Sequence, residues 1–239
     1  MTHIVAVSPH LDDAAFSVGG LLAARARAGD RITIITCFTG NVARPAGFAL
    51  ACQLDKGLPA TVDYMALRRN EDLAACAVIG ATAIHLPLLE APHRGYDSAP
   101  ALFAKRHADD TALARLVACL AEQLQALAPD LLLGPLAIGD HVDHWLVRDA
   151  LEVLGLPVLM WEDWPYMTRT AVLPSDTICR QHRLSEEDRH DRIAMCAAYS
   201  SQLPFQFGSA AQMETAISTI EFERLHAKVA DGEVEATPK

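Results

Sequence analysis

The chain has 239 residues, of which 51% are hydrophobic and 21% charged, and this composition predicts a globular protein with a substantial core. Its 30 acidic and 20 basic residues give a formal charge of −10. That excess of acid argues against nucleic acid and anionic membranes as partners, because both require a basic face. A small neutral or polar substrate is easier to accept.

Six cysteines are scattered without a C-x-x-C pair, mostly inside apolar stretches, which indicates reduced thiols. The first residues show no basic segment followed by an apolar one, and no apolar run approaches the roughly 20 residues that span a bilayer. We therefore predict a cytoplasmic protein without a membrane partner. These features are compatible with a homo-oligomer.

Strands and helices alternate along most of the predicted chain. Apolar or β-branched runs predict five strands, at residues 4–7, 31–38, 83–88, 131–133 and 158–161. Helical patterns separate them at residues 14–28, 63–80, 111–127 and 142–154. Two segments rich in glycine and proline, residues 39–62 and 89–110, are predicted to be long, irregular loops.

The last part of the chain predicts a sixth strand at residues 177–183 and a helix from the N-cap Ser185 to about Tyr199. A further helix is predicted at residues 211–227. We expect residues 1–226 to form a single domain and residues 227–239 to form a flexible tail.

This order of elements predicts an α/β fold, with a doubly wound, mostly parallel sheet and helices on both faces. In the common strand orders of such sheets, the first and fourth strands are neighbours. The loops that leave those two strands then flank the crevice in which open α/β sheets bind ligands.

Two short motifs of histidine and aspartate follow these same two strands. The first motif contains His10, Asp12 and Asp13, and the second contains His141, Asp143 and His144. An aspartate before a helix is often only a cap, and a lone histidine is usually structural. Two such motifs, in loops that the topology brings together, favour a shared functional site.

The residue types in these motifs favour a metal. A dinucleotide is a poor candidate ligand, because the first loop lacks G-x-G-x-x-G and places two carboxylates where a pyrophosphate would bind. Two imidazoles and a carboxylate form a three-ligand set that leaves a position open for water, as in catalytic zinc sites. Two alternatives stay open: an Fe(II) site of two histidines and one carboxylate for oxygen chemistry, and a metal- or sugar-binding module without catalysis.

The two motifs resemble those of the PIG-L/LmbE-like zinc-dependent N-deacetylases, which carry P-H-P-D-D in the first loop and H-x-D-H downstream. Here they read Pro9-His10-Leu11-Asp12-Asp13 and His141-Val142-Asp143-His144. Further matches are Gly19-Gly20, Arg68 with Glu71, W-E-D-x-P-Y at Trp161 to Tyr166, and Tyr199-Ser200-Ser201-Gln202. Leu11 and Ala14 depart from the family's usual proline and glutamate, and neither change removes a candidate ligand.

The resemblance implies a Rossmann-like sheet and an enzyme that removes an N-acyl group, in the first place acetyl, from an amino sugar or sugar-like conjugate. It implies a zinc ion, with Fe2+ as the alternative metal, held by His10, Asp13 and His144. Asp12 would be the general base. His141 would stabilise the oxyanion or protonate the leaving amine, oriented by Asp143, whose charge would keep the imidazole cationic.

Three further charged residues are candidates for substrate binding. Arg68 lies on the predicted helix 63–80, and Glu162 and Asp163 follow the fifth strand at the same edge of the sheet. A charged residue on a helix more often faces solvent than a ligand, so these assignments depend on where the side chains lie in the fold.

Overall fold

The computed structural model describes residues 1–169 and 177–228. Within them the chain forms one seven-stranded sheet in the order β3-β2-β1-β4-β5-β7-β6. Its strands are β1 (His3–Ser8), β2 (Arg31–Thr36), β3 (Thr82–His85), β4 (Leu131–Pro135), β5 (Val158–Trp161), β6 (Thr177–Arg183) and β7 (Phe222–Lys228). Strands β1 to β5 pair in parallel, whereas β7 is antiparallel to both β5 and β6. The predicted α/β fold with a mostly parallel sheet is therefore confirmed.

Nine helices belong to the described part of the chain, besides two short 3-10 helices at Ala91–His93 and Tyr166–Arg169. They are α1 (Asp13–Arg27), α2 (Gly47–Asp55), α3 (Tyr64–Val78), α4 (Ala99–Leu102), α5 (Ala112–Leu127), α6 (Val142–Leu154), α7 (Glu186–Ala197), α8 (Leu203–Phe207) and α9 (Ala210–Ser218). None of these described helices is long and apolar enough to cross a bilayer.

The central strand β1 is buried on both faces, because helices cover both sides of the sheet. Ile4 and Ala6 contribute to a core that includes residues of α1, α3, α7 and α9. Val5 and Val7 contribute to a second core with residues of α5 and α6. Alternate side chains of a strand point to opposite faces, so an uninterrupted apolar run is what a strand buried on both sides requires.

Helix α1 is held against α7 and β7 by a buried carboxylate. The backbone of α1 leaves helical geometry at Val18. Just beyond it, the N–H groups of Gly20 and Leu21 donate to the Glu223 carboxylate at 3.0 and 2.7 Å. Arg192 of α7 places Nη1 3.2 Å from the same carboxylate. One buried ion pair therefore joins three elements.

The last predicted helix, residues 211–227, is wrong in its second half. Helix α9 ends at Ser218, and the chain enters β7 at Phe222. The sequence pattern did not predict this strand, because Glu223 and His226 interrupt its apolar residues. Both side chains are buried, and ion pairs with other elements satisfy them.

Other boundaries differ from the predictions in smaller ways. The segment 39–62 contains α2, and the segment 89–110 contains α4 and a 3-10 turn. Residues 227 and 228 of the predicted tail belong to β7, and residues 229–239 lie outside the described residues. The predicted start of α7 is confirmed, because Ser185 and Asp188 form a reciprocal capping box.

Removing the buried charge of Glu223 should destabilise the protein. We expect Glu223→Gln to lower the free energy of unfolding by about 3–5 kcal/mol, the usual effect of removing one partner of a buried ion pair. The matched control is Glu221→Gln two residues earlier, where the residue is exposed, and it should change stability by less than about 0.5 kcal/mol. Urea unfolding measures both, and equal losses would contradict the assignment.

Candidate active site

The two predicted motifs meet at the carboxyl edge of the sheet. Strand β1 pairs directly with β4, with Ile4 opposite Leu131 and Ala6 opposite Leu133. The first motif leaves β1 and the second follows β4, so the parallel pairing brings together residues that lie about 130 positions apart in the sequence. The predicted adjacency of the first and fourth strands is confirmed.

The loop after β1 orients its side chains through Ser8. Its hydroxyl donates to the His10 carbonyl at 2.7 Å and accepts from the Ala14 N–H at 3.1 Å. Asp12 occupies the N-cap position of α1, but its side chain makes no capping hydrogen bond. Asp12 therefore does not have the simple capping role that its position in the sequence allows.

Three atoms converge in the way that a metal ion requires. Asp13 Oδ2 lies 3.2 Å from His10 Nδ1 and 3.3 Å from His144 Nε2. Ligands at about 2.0–2.1 Å from a tetrahedral zinc ion are separated by roughly 3.3 Å, so these spacings fit. His144 Nε2 is buried and makes no hydrogen bond of good geometry within the described residues. A buried polar atom without a partner is what a ligand position leaves.

A second carboxylate holds each of these two histidines from behind. His10 Nε2 lies 3.0 Å from Asp143 Oδ2, and His144 Nδ1 lies 2.8 Å from Asp163 Oδ1. A carboxylate accepts the ring proton on its own side, which leaves the opposite nitrogen of the neutral ring with a free lone pair. Both free lone pairs are then on the side of Asp13.

His141 lies close to both candidate ligands, and ligand atoms of the three histidines fall within 4.8 Å of one another. Its hydrogen bonding, however, is opposite. His141 Nδ1 accepts from the Asp143 backbone N–H at 3.2 Å, so the neutral ring carries its proton on Nε2. Burial lowers the pKa of His141 to about 3. This hydrogen bonding favours His141 as a hydrogen-bond donor over a role as a third histidine ligand.

Asp143 does not act on His141 as the sequence suggested. Its carboxylate lies against His10, accepts from the Ala91 N–H at 3.0 Å and accepts from Arg94 Nη2 at 2.7 Å. Only its backbone N–H contacts the His141 ring. The expectation that this carboxylate orients His141 and keeps it cationic is wrong, because the carboxylate is bonded elsewhere.

Asp12 is buried next to Arg68, with 3.6 Å between Oδ2 and Nη2. Burial raises the pKa of Asp12 to about 6, and the Arg68 charge opposes this rise. Arg68 also pairs with Glu90. The predicted residue Arg68 is therefore brought to the site, with its guanidinium beside the candidate base.

The other two predicted substrate-binding residues do not line the cleft. Glu162 accepts from His226 Nε2 at 3.0 Å and pairs with Arg224, so it joins β5 to β7. Asp163 contacts His144 and accepts from the Ile138 N–H at 2.8 Å. Both carboxylates are buried and bonded to protein partners, so the structure does not support the assignment of either residue to substrate binding.

A cleft of about 430 Å³ opens above the converging atoms. Its lining combines charged and polar side chains with apolar ones, and exposed residues such as Asn41, Asp55 and Asp63 are among the polar ones. The apolar part of the lining includes Val42, Pro45, Phe48, Ala49, Leu102, Phe103 and Phe205. Phe103 and Phe205 remain 42% and 60% exposed. Such a cavity suits a ligand that carries both polar and apolar groups.

Three residues of the site were missed in the sequence. Glu90 and Arg94 lie in the segment 89–110, where no motif marks them, and the sequence names Tyr166 only as the last residue of the W-E-D-x-P-Y match. The signal that could have found the first two is their place in a long loop near a sheet edge, since such loops commonly carry binding residues.

Comparisons with known proteins identify the family to which the chain is similar. The family model described as PIG-L: GlcNAc-PI de-N-acetylase matches residues 5–154. A 2′-N-acetylparomamine deacetylase of Streptomyces fradiae is 35% identical over 183 residues. That match covers 74% of this chain and 62% of the relative, so the chain spans less than two thirds of its length.

Solved structures are similar over the whole chain. The A40926 pseudoaglycone deacetylase Dbv21 has a TM-score of 0.80 and 29% identity, with 98% of this chain and 99% of that one covered. The zinc-inhibited form of teicoplanin deacetylase Orf2 has a TM-score of 0.78 and 26% identity, covering 97% of this chain and 100% of the other.

Asp163 contacts the candidate ligand His144, whereas Glu162 does not, and metal binding can measure the effect of this difference. We expect Asp163→Asn to weaken the binding of added Zn2+ by about 10–100-fold, because the His144 ring loses the carboxylate that fixes its orientation. The neighbouring control Glu162→Gln should leave the Kd for Zn2+ within about twofold. Competition titration with a chromophoric chelator gives both values, and a reversed order would mean that the supporting carboxylate is misassigned.

Proposed function

Because the chain belongs to the PIG-L: GlcNAc-PI de-N-acetylase family, we propose that it is a metal-dependent N-deacetylase that hydrolyses the amide of an N-acylated, carbohydrate-like small molecule. The observation that supports this most directly is the convergence of two imidazole nitrogens and one carboxylate oxygen. Asp12 lies next to them, and its side chain makes no capping hydrogen bond to α1. The products would be acetate and a primary amine.

His10, Asp13 and His144 would hold the metal ion, with Zn2+ as the proposed metal and Fe2+ as the alternative. When bound there, such an ion would polarise an amide carbonyl and make water a better nucleophile at neutral pH. One coordination position would remain open for the reaction, since the chain supplies three ligands. Asp143 and Asp163 would support the two histidine ligands.

Asp12 would act as general base and then as general acid. It would accept one proton from the attacking water and transfer it to the amide nitrogen when the C–N bond breaks. That sequence balances the reaction, because the hydroxyl group of water ends in acetate and its proton ends on the amine. Burial suits Asp12 for both steps, because it raises the pKa toward neutrality.

His141 would donate its Nε2–H to the carbonyl oxygen as negative charge develops there. A neutral imidazole can stabilise the oxyanion by a hydrogen bond without losing its proton. Of the two roles that the family resemblance implies for His141, we therefore propose oxyanion stabilisation and not protonation of the amine. Arg68 would hold Asp12 in place and contact hydroxyl groups of the substrate from the wall of the cleft.

The apolar side chains in the lining of the cleft support a substrate that carries more than the amino sugar. The Streptomyces fradiae relative is a deacetylase of N-acetylparomamine, and Dbv21 is a deacetylase of a pseudoaglycone. An apolar or aromatic group attached to the sugar would contact Phe103 and Phe205.

The six cysteines are all unpaired, which supports our proposal that the enzyme acts in the reducing cytoplasm.

Release of free amine tests the reaction class. We expect protein loaded with one equivalent of Zn2+ or Fe2+ to release amine, detected with fluorescamine, from N-acetylglucosamine. 4-Nitrophenyl N-acetyl-β-glucosaminide should give at least a tenfold higher kcat/KM, because its aryl group reaches the apolar part of the lining. Oxygen uptake without amine release by the Fe2+ form would favour an oxygenase, and tight ligand binding without turnover would favour a binding module.

Catalysis and metal binding should separate in two variants. Asp12→Asn and His141→Ala should each lower kcat at least 100-fold and keep one metal ion per chain, because neither residue is a ligand. Asp140→Asn, an exposed change in the loop before His141, is the control and should keep near-normal kcat. Elemental analysis reports the metal, and loss of metal from Asp12→Asn would make Asp12 a ligand.

A further inference from the structure

Tyr166 lies beside the candidate metal site, although the roles described above do not include it. Its ring lines the cleft and packs edge-on to the His144 ring, with 5.3 Å between centroids. The His144 ring is equally far from His141, at 5.3 Å, and from His10, at 5.4 Å. The Tyr166 ring is therefore as close to this candidate ligand as the rings of the two other histidines are.

The loop that carries His141 is shaped to admit this ring. Gly139 has no side chain, and a Cβ atom there would lie 2.7 Å from Cβ of Tyr166 and 3.1 Å from Cγ. Real Cβ atoms do not approach so closely, so any larger residue would displace the ring. Gly139 also has a φ of +93°, which favours glycine. The ring of Tyr166 is thus placed by direct contact with the second motif.

The hydroxyl group of Tyr166 is available within the cleft. Burial, and then the charges of Asp13 and Asp12, raise the pKa of this phenol, while a hydrogen bond with Gln206 opposes that rise. Since the ordinary pKa of tyrosine is already about 10, the hydroxyl carries its proton at neutral pH. Because this bond lowers the pKa, the Gln206 amide donates it to the phenol oxygen, and the phenol's own proton can be donated to a substrate oxygen in the cleft.

A phenol outside the cleft provides the control. The Tyr199 hydroxyl donates to Asp72 Oδ1 at 2.7 Å, and its ring packs against Phe16 with 5.7 Å between centroids. Tyr199 is not among the residues that line the cleft. Removing its hydroxyl therefore tests the loss of a buried phenol without changing the cleft lining.

We propose that Tyr166 is a further catalytic residue, whose hydroxyl donates a hydrogen bond to the carbonyl oxygen of the scissile amide. The proposal rests on the N-deacetylase function proposed above. His141 and Tyr166, two neutral donors that both pack against His144, would form an oxyanion hole, and their stabilisation grows as the carbonyl carbon becomes tetrahedral. Tyr166 keeps its proton throughout, so the balance of the hydrolysis is unchanged.

Tyr166→Phe removes only the donor, because the phenyl ring preserves the contacts with Gly139 and His144. We expect kcat for the aryl glycoside to fall about 100-fold, with KM within about threefold and one metal ion retained. Tyr199→Phe is the control, because it removes a phenol hydroxyl outside the cleft, and its kcat should stay within about threefold of the original. A rise in KM without a fall in kcat, or an equal fall in kcat in both variants, would overturn the proposal.

A binding measurement separates this proposal from the proposed function. Methylphosphonate has the tetrahedral shape of the hydrated acetyl group, whereas acetate is planar, and calorimetry with metal-loaded protein can compare them. Tyr166→Phe should weaken the binding of methylphosphonate at least tenfold and that of acetate less than threefold, and Tyr199→Phe should change neither. If no substrate releases amine but this pattern holds, the proposed reaction fails and the donor role stands. Unchanged methylphosphonate affinity in Tyr166→Phe would refute the donor role.

Discussion

The site depends on the parallel hydrogen bonding between β1 and β4. Each of these strands ends in a loop with histidine and aspartate side chains, and neither loop alone contains a complete set of metal ligands. His10 and Asp13 come from the first loop, and His144 comes from the second. The pairing of Ala6 with Leu133 fixes the register, because one face of each strand is buried in each of two cores.

Carboxylates determine what each histidine in the site can do. Asp143 and Asp163 accept from the outer nitrogens of His10 and His144, and so direct their lone pairs inward. His141 receives a backbone N–H instead and directs a proton into the cleft. Three chemically identical rings are therefore held in two different ways, which suits the two different functions that we propose for them. The difference comes from the partner of the nitrogen that does not face the reaction.

The concentration of negative charge in this buried site requires compensation. Arg94 pairs with Asp143, and Arg68 lies between Asp12 and Glu90. Asp13 contacts histidines, so a divalent cation there would balance charge that the protein does not neutralise by arginine. A metal ion would thus contribute to the stability of the folded site as well as to its chemistry.

Glu162 and Asp163 show how the backbone assigns different functions to adjacent residues of the same chemistry. Both follow β5, and successive side chains in extended backbone point in opposite directions. Asp163 reaches His144, whereas Glu162 reaches His226 on the antiparallel strand β7. The sequence placed both at the correct edge of the sheet, and the direction of each side chain required the neighbouring strands to be known.

The sequence by itself determined the parallel sheet, the adjacency of its first and fourth strands and the residues that meet there. It could do so because apolar runs and helical periodicity are local properties, and because the two motifs follow recognisable strands. The tertiary structure decided that Asp143 supports His10, that Asp163 supports a ligand and that Tyr166 enters the cleft beside Gly139. It also decided that residues 222–228 form a strand, since the partners that satisfy Glu223 and His226 are distant in sequence. Which atom a side chain contacts depends on distances across the fold, and no local pattern encodes those distances.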